Sequence, residues 1–184
     1  MSIKKEVYKY DKPFSSKETL KGNAVEDDAI EFINELFFKS YKKSESELSD
    51  KYGSGHPDIE DEKEKMIIDN KSSWSKATFP VFSEDAYDSG YEWQVRRYLM
   101  LKGGVKKGWT KGKVVFTLMD TPDELIPEWE PISLHDMSDL DDKLRITWFD
   151  VELTQEIEDL MVEVGELALK YAEEYKLKIK NKCK

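Results

Sequence analysis

Residues 53–74, GSGHPDIEDEKEKMIIDNKSSW, decide how this chain folds. Two short runs, 55–60 and 65–71, read as β-strands on either side of the charged turn EDEKE. The second run, KMIIDNK, begins apolar and ends in charge. Side chains two apart on a strand point the same way, so Lys71 lies beside Asp69. If the two strands pair, Asp58 at the end of the first converges with Asp69 on one point. Two carboxylates with one ammonium suit phosphodiester hydrolysis. The acids hold a divalent ion, and the ammonium orients the attacking water and offsets charge on the phosphate. Magnesium takes oxygen ligands and keeps several waters, so two or three carboxylates are enough, and manganese has the same taste.

Upstream of this stretch, Val25, Ala29, Phe32, Ile33 and Leu36 repeat at helical spacing and predict a helix over 24–42. Glu26 shares a column with Ile30, Ile33 and Phe37, which predicts that it points inward. Residues 1–22 look irregular, and 43–54 polar and turn-like. Downstream, Ser89 and Glu92 form a capping box for a helix over 90–102 that Gly103-Gly104 ends. Strands are predicted at 113–119 and 144–152, with a long acidic loop between them over 120–143. A last helix runs from 155 to 176, with Ile157, Leu160, Met161, Val164, Leu167, Ala168 and Tyr171 as its apolar stripe. This order predicts an α/β or α+β sandwich around a mixed sheet.

The 184 residues, 39% hydrophobic and 12% aromatic, suffice for a core, and no repeat or linker divides them. The expectation is one domain over 1–184. No apolar run is long enough to span a bilayer, and the N-terminal MSIKKEVYKYDK lacks a signal-peptide core, so a cytoplasmic protein is expected. The single Cys183 leaves no disulfide framework and no four-cysteine cluster. The net charge of −10 disfavours a nucleic-acid partner on its own. Basic residues nevertheless gather at 96–113 and 170–184. Lys106, Lys107 and Trp109, with Lys111 and Lys113, could grip phosphate and stack on a base. They suit an ordinary solvated hairpin equally well. His56, beside Asp58, reads as structural, while His135, in the acidic loop, suggests no role. Trp74 fits either the core or the edge of the site.

Pro57-Asp58 and Asp69-Asn70-Lys71 resemble the two signature elements of the PD-(D/E)XK nuclease superfamily. Gly55 precedes the first, Met66-Ile67-Ile68 precedes the second, and Ser72 and Ser73 follow it. Gln94 and Tyr98, on one helix face, resemble the QxxxY helix of the RecB-like branch, which includes the lambda-type phage exonucleases. Gly22 and Glu26 are similar to the glycine and acid, four apart, that open that branch's first helix. The resemblance covers about residues 20–120. It implies a restriction-endonuclease-like domain with helices flanking a mixed sheet. It also implies a Mg2+ (or Mn2+) centre held by Glu26, Asp58, Asp69 and the Asn70 carbonyl, with Lys71 assisting the water. Ser72 and Ser73 would contact DNA, and Gln94 and Tyr98 would contact DNA or brace the metal ligands. The implied activity is a DNA exonuclease of phage-type recombination or replication, in the host cytoplasm if phage-encoded. A single-strand annealing protein and a homo-oligomer are the implied partners. Two alternatives stay open: an endonuclease or junction resolvase on the same fold, and a DNA-binding or assembly module without catalysis.

Overall fold

A computed structural model of the chain describes residues 16–182. The irregular segment expected over 1–15 and the lone Cys183 lie outside these residues. The chain opens with α1 (Lys17–Ala24) and α2 (Glu26–Phe37), then β1 (Leu48–Asp50), β2 (Gly53–Gly55), β3 (Ile59–Asp61) and β4 (Met66–Ser72). Next come α3 (Ser83–Ala86), α4 (Ser89–Leu101), α5 (Gly104–Lys107) and β5 (Lys111–Thr117). Three short 3-10 turns lead to β6 (Ile146–Glu152), and α6 (Gln155–Lys182) follows.

The sheet has the order β3-β4-β5-β6. β3 runs antiparallel to β4, β4 parallel to β5, and β5 antiparallel to β6. The α/β class and mixed sheet expected from the sequence are therefore present, with helices on both faces. Ile67, Val114, Phe116 and Val151 pack under α4, against Val95 and Leu99. Ile68, Ile59 and Val115 pack on the opposite face against Ile30 and Ile33 of α2. Gly112 is tight for a reason: a Cβ there would overlap Val95 of α4. Among the described residues, no helix is long and apolar enough to cross a membrane.

Four local expectations change. Residues 17–24 are helical, not irregular; Ser16 caps them by accepting from Thr19 N at 3.2 Å. Their one buried side chain is a lysine, so no apolar period announced the helix. α2 stops at Phe37, earlier than predicted, because Phe38 turns left-handed at φ 53° and Asn34 bonds both Tyr41 N and Tyr41 O. The cap of α4 is Asp88, which accepts from Gly90 N and Tyr91 N, while Glu92 pairs with Arg96. Finally, of the stripe on α6 only Ile157 and Met161 pack against the core. No residue of that helix is fully buried.

Candidate active site

The antiparallel register pairs Ile59 with Ile68. Asp58, one residue before β3, therefore arrives across from Asp69. Its Oδ2 accepts from Asn70 N at 2.6 Å, which ties the end of one strand to the next. On β4 the alternation works as the spacing predicted. Ile67, Asp69 and Lys71 face α4, and the Lys71 ammonium lies 2.6 Å from Asp69 Oδ2. The angles of that ion pair leave Asp69 Oδ2, which is buried, without a hydrogen bond.

Gln94 and Tyr98 complete this side. Lys71 Nζ donates to Gln94 Oε1 at 3.2 Å, and Gln94 Nε2 donates to the Tyr98 hydroxyl at 2.6 Å. The pair therefore braces the lysine. Tyr98 is 7% exposed, so its ring is core and not a free surface for DNA. It rests directly over Gly55, where a Cβ would overlap the ring. Tyr91, which sequence reasoning passed over, lies under the Lys71 ammonium at 4.8 Å.

The electrostatics follow from this crowding. Desolvation, then the Asp69 charge and Glu26, push the Asp58 carboxyl up to about 7, against the Asn70 N–H and Lys71. Burial also raises Asp69, against the pull of Lys71. Burial works against the Lys71 ammonium, yet Asp69 and Asp58 together hold it above its ordinary range. Two carboxylates face one ammonium, so negative charge is left over.

That surplus is what a divalent cation would neutralise, and the oxygen donors suit magnesium or manganese. The site is only partly gathered for it. Among the described residues, no three His, Cys, Asp or Glu side chains are close enough together to hold a metal ion. Glu26 accounts for the shortfall. It lines the same cavity as Asp58, Asn70, Lys71 and Ser72, about 350 Å³, but its carboxylate pairs with Lys43 at 2.7 Å. It points to the cavity wall and not, as its column predicted, into the core.

A second hollow, about 630 Å³, opens beside Lys71, Ser72 and Ser73. Trp74, Trp129, Glu130 and Lys17 line it. Trp74 is core, 6% exposed, and its Nε1 donates to Glu130 Oε2 at 2.7 Å. The same carboxylate meets Lys17 at 2.5 Å and His135 at 2.9 Å, and these contacts, Lys17 first, hold its pKa down at about 2. His135 is thus structural, held between Thr121 and Glu130. No sequence signal could have linked Glu130 to Trp74, since the acidic loop carries it back across the fold. His56 is exposed and faces Glu47 at 3.9 Å, away from the centre. Ser72 Oγ lies 3.4 Å from Thr117 Oγ1, and the Ser73 carbonyl accepts from Lys21, so both serines edge the site through the sheet.

The basic stretch 96–113 does not supply a track to this centre. Trp109 is 4% exposed, packed in the core with the Lys102 ammonium over its ring, and cannot stack on a base. Lys106 and Lys107 are exposed, but they lie on α5, before β5 begins. The parallel register puts Lys111 beside Met66, so this loop sits at the opposite end of β4 from Lys71. Most of the other cations are spent locally: Arg96 on Glu92, Arg97 on Asp50, Lys102 on Glu60 and Glu62, and Lys113 on Asp150.

No family model matches the sequence, and no curated protein matches it. Solved structures do. A phage-related exonuclease from Haemophilus somnus 129PT superposes with a TM-score of 0.87 at 24% identity, over 96% of this chain and 80% of that one. An alkaline exonuclease from Laribacter hongkongensis gives 0.65 at 12% identity, over 98% of this chain and 80% of that one. At these identities the likeness establishes a common fold.

Proposed function

We propose that the chain is a metal-dependent DNA nuclease of the PD-(D/E)XK type, and within that class an exonuclease. The observation that carries this reading is the meeting of Asp58 and Lys71 at the edge of an open cavity, with Asp69 buried against the Lys71 ammonium, on a fold that solved exonucleases share. Asp58 and Asp69 would hold Mg2+ or Mn2+, with the Asn70 carbonyl as a further ligand. Glu26 joins them by releasing Lys43. The bound ion would polarise the phosphate and acidify a water. Lys71, held by Gln94 and charged through its two aspartates, positions that water and offsets charge growing on the phosphate oxygens. Ser72 and Ser73, at the cavity edge, are placed to meet the DNA backbone. An alternative without catalysis has less support, because a binding module gains nothing from a buried, under-neutralised carboxylate pair.

The test is incubation of end-labelled linear duplex with magnesium, with and without chelator. Cleavage is expected only with the metal, and Asp58→Ala and Asp69→Ala should each abolish it while the variants stay folded by far-UV circular dichroism. Full-rate cleavage in excess chelator would sink the proposal. A role in recombination, alongside a single-strand annealing protein, is the setting we propose for such an activity.

A further inference from the structure

The larger hollow, about 630 Å³, has Lys71 and Trp129 on one continuous lining. The Trp129 indole is 77% exposed. A lone apolar side chain on a surface is ordinary, but the mounting of this one is not. It sits in the segment 127–131, PEWEP. A proline at each end fixes the backbone φ there. Glu130 N donates to Pro127 O at 2.9 Å, and Leu134 N to Pro131 O at 3.0 Å, so a closed turn stands on either side. The neighbouring Glu130 carboxylate is held from three directions, by Lys17, Trp74 and His135. The ring is thus exposed on a backbone that is already ordered.

The hollow offers no surplus positive charge. Lys17 is paired with Glu130 at 2.5 Å and Lys71 with Asp69 at 2.6 Å, and Glu18 adds a further carboxylate to the lining. Among the described residues, no net positive charge is left here to fix a terminal phosphate. The wall around Trp129 is apolar, with Pro131, Leu134 and Ala77. The Lys17 ammonium lies over the Trp129 ring, 5.5 Å from its centroid, and takes one face of it. The other face is open to a flat, uncharged partner. A nucleobase is such a partner, and every base has a π-face, so stacking demands no particular sequence. Because one cavity joins Trp129 to Lys71, a strand with a phosphate at Lys71 has a base within the same space.

We propose that Trp129 is a stacking platform for an unpaired base of the strand being cut, and that the hollow between it and Lys71 is a nucleobase subsite. The inference rests on the nuclease reading and adds to it the part of the substrate that this hollow holds. Because the indole is mounted before binding, little ordering entropy opposes the stack. Its contribution is to the affinity and placement of the strand. The bond-breaking step stays with the groups around Lys71.

Single-turnover cleavage of end-labelled linear duplex in magnesium tests it, read as the half-saturating DNA concentration and as the rate at saturation. Trp129→Ala should raise the half-saturating concentration about five- to a hundredfold, the scale of one base–aromatic stack, and change the saturated rate much less. Trp129→Phe keeps a ring and should recover most of the loss. Both variants should match the parent in far-UV circular dichroism, because the side chain is exposed. Duplexes with abasic sites in their terminal nucleotides complete a double-mutant cycle. The parent should lose affinity on them, and Trp129→Ala should lose little more. The penalty should be the same whether the termini carry phosphate or hydroxyl. An unchanged half-saturation, additive losses in the cycle, or a penalty confined to phosphorylated termini would each overturn the inference and leave the nuclease reading standing. Absence of metal-dependent cleavage by the parent would remove both.

Discussion

At the scale of single residues, Lys71 and Asp58 carry the sharpest expectations. Lys71 contacts Asp69 and Gln94, so its proposed work is on the attacking water and the transition state. Lys71→Ala should lower the single-turnover rate about a hundredfold or more, as loss of one preorganised electrostatic group does, while DNA affinity changes little. An affinity collapse with the rate at saturating DNA preserved would make Lys71 a phosphate clamp instead. Asp58 sets a pH dependence. Its folded pKa, about 7, stands above the ordinary 3.8, so the native state holds that proton more tightly than the unfolded chain does. The stability this confers is present at low pH and is lost as pH climbs from about 4 through about 7. The metal-free protein should therefore melt lower across that window, and magnesium should restore the loss above it, since binding favours the ionised form. Asp58→Asn should flatten the profile. If variant and parent fall in parallel, another group titrates.

At the scale of elements, α1 depends on one side chain. Lys21 is fully buried, and its ammonium donates to Ser73 O at 2.7 Å, Trp74 O at 3.0 Å and Met119 O at 2.7 Å. Burial lowers its pKa to about 8, with Asp120 opposing. The lysine pins α1 to the strand exits where the site begins. Lys21→Met keeps the stem and strands three carbonyls, each worth about 1–3 kcal/mol when buried without a donor. A loss of ~3 kcal/mol or more is expected in urea unfolding; less than ~1 kcal/mol would mean that water replaces the ammonium. A similar dependence joins β2 to α4. Gly55→Ala should push the Tyr98 ring aside and loosen its bond with Gln94. Overpacking of this kind costs about 1–3 kcal/mol, and cleavage should fall as Lys71 loses its brace. An unchanged melting temperature and rate would show that the ring has room to move.

These elements also show what could be read beforehand. β4 was legible because a short apolar run, Met66-Ile67-Ile68, ends in charge at Asp69 and Lys71, which a strand's period of two sets side by side. α1 was not, because its anchor is a lysine that becomes intelligible only once three distant carbonyls surround it. Asp58, Asp69 and Lys71 were legible as a set because they lie close in sequence on paired strands. Glu26 was placed on the correct helix, but its pairing with Lys43 has no sequence signature. Trp109 looked like a loop aromatic because lysines and glycines surround it, yet its ring turns into the core. The cations of 96–113 looked like a patch because their acidic partners come from other parts of the chain.

At the scale of the whole molecule, a net charge of −10 repels a continuous duplex, and both arginines of α4, Arg96 and Arg97, are paired locally. Entry at a DNA end is therefore the proposed mode, through the hollow beside Lys71. Linear duplex should be degraded progressively, and covalently closed circles should survive the same incubation. Efficient linearisation of circles would favour the endonuclease alternative. Lys106→Glu with Lys107→Glu should leave affinity nearly unchanged, because that loop sits at the far end of β4; a marked loss would return it to the DNA path.

The parallel pairing of β4 with β5 bears on how the protein is made. The β3–β4 hairpin contains both aspartates, but a lone hairpin is marginal in water. Its partner β5 is not synthesised until the whole of α4 and α5 has followed. A ribosome-bound chain that has just extruded Lys71 thus holds every proposed ligand and no centre. The carboxylates gain their fixed spacing only when Thr117 has emerged to align with Ser72. If the chain is the nuclease proposed above, it would be inactive toward nearby nucleic acid until that point in its own translation.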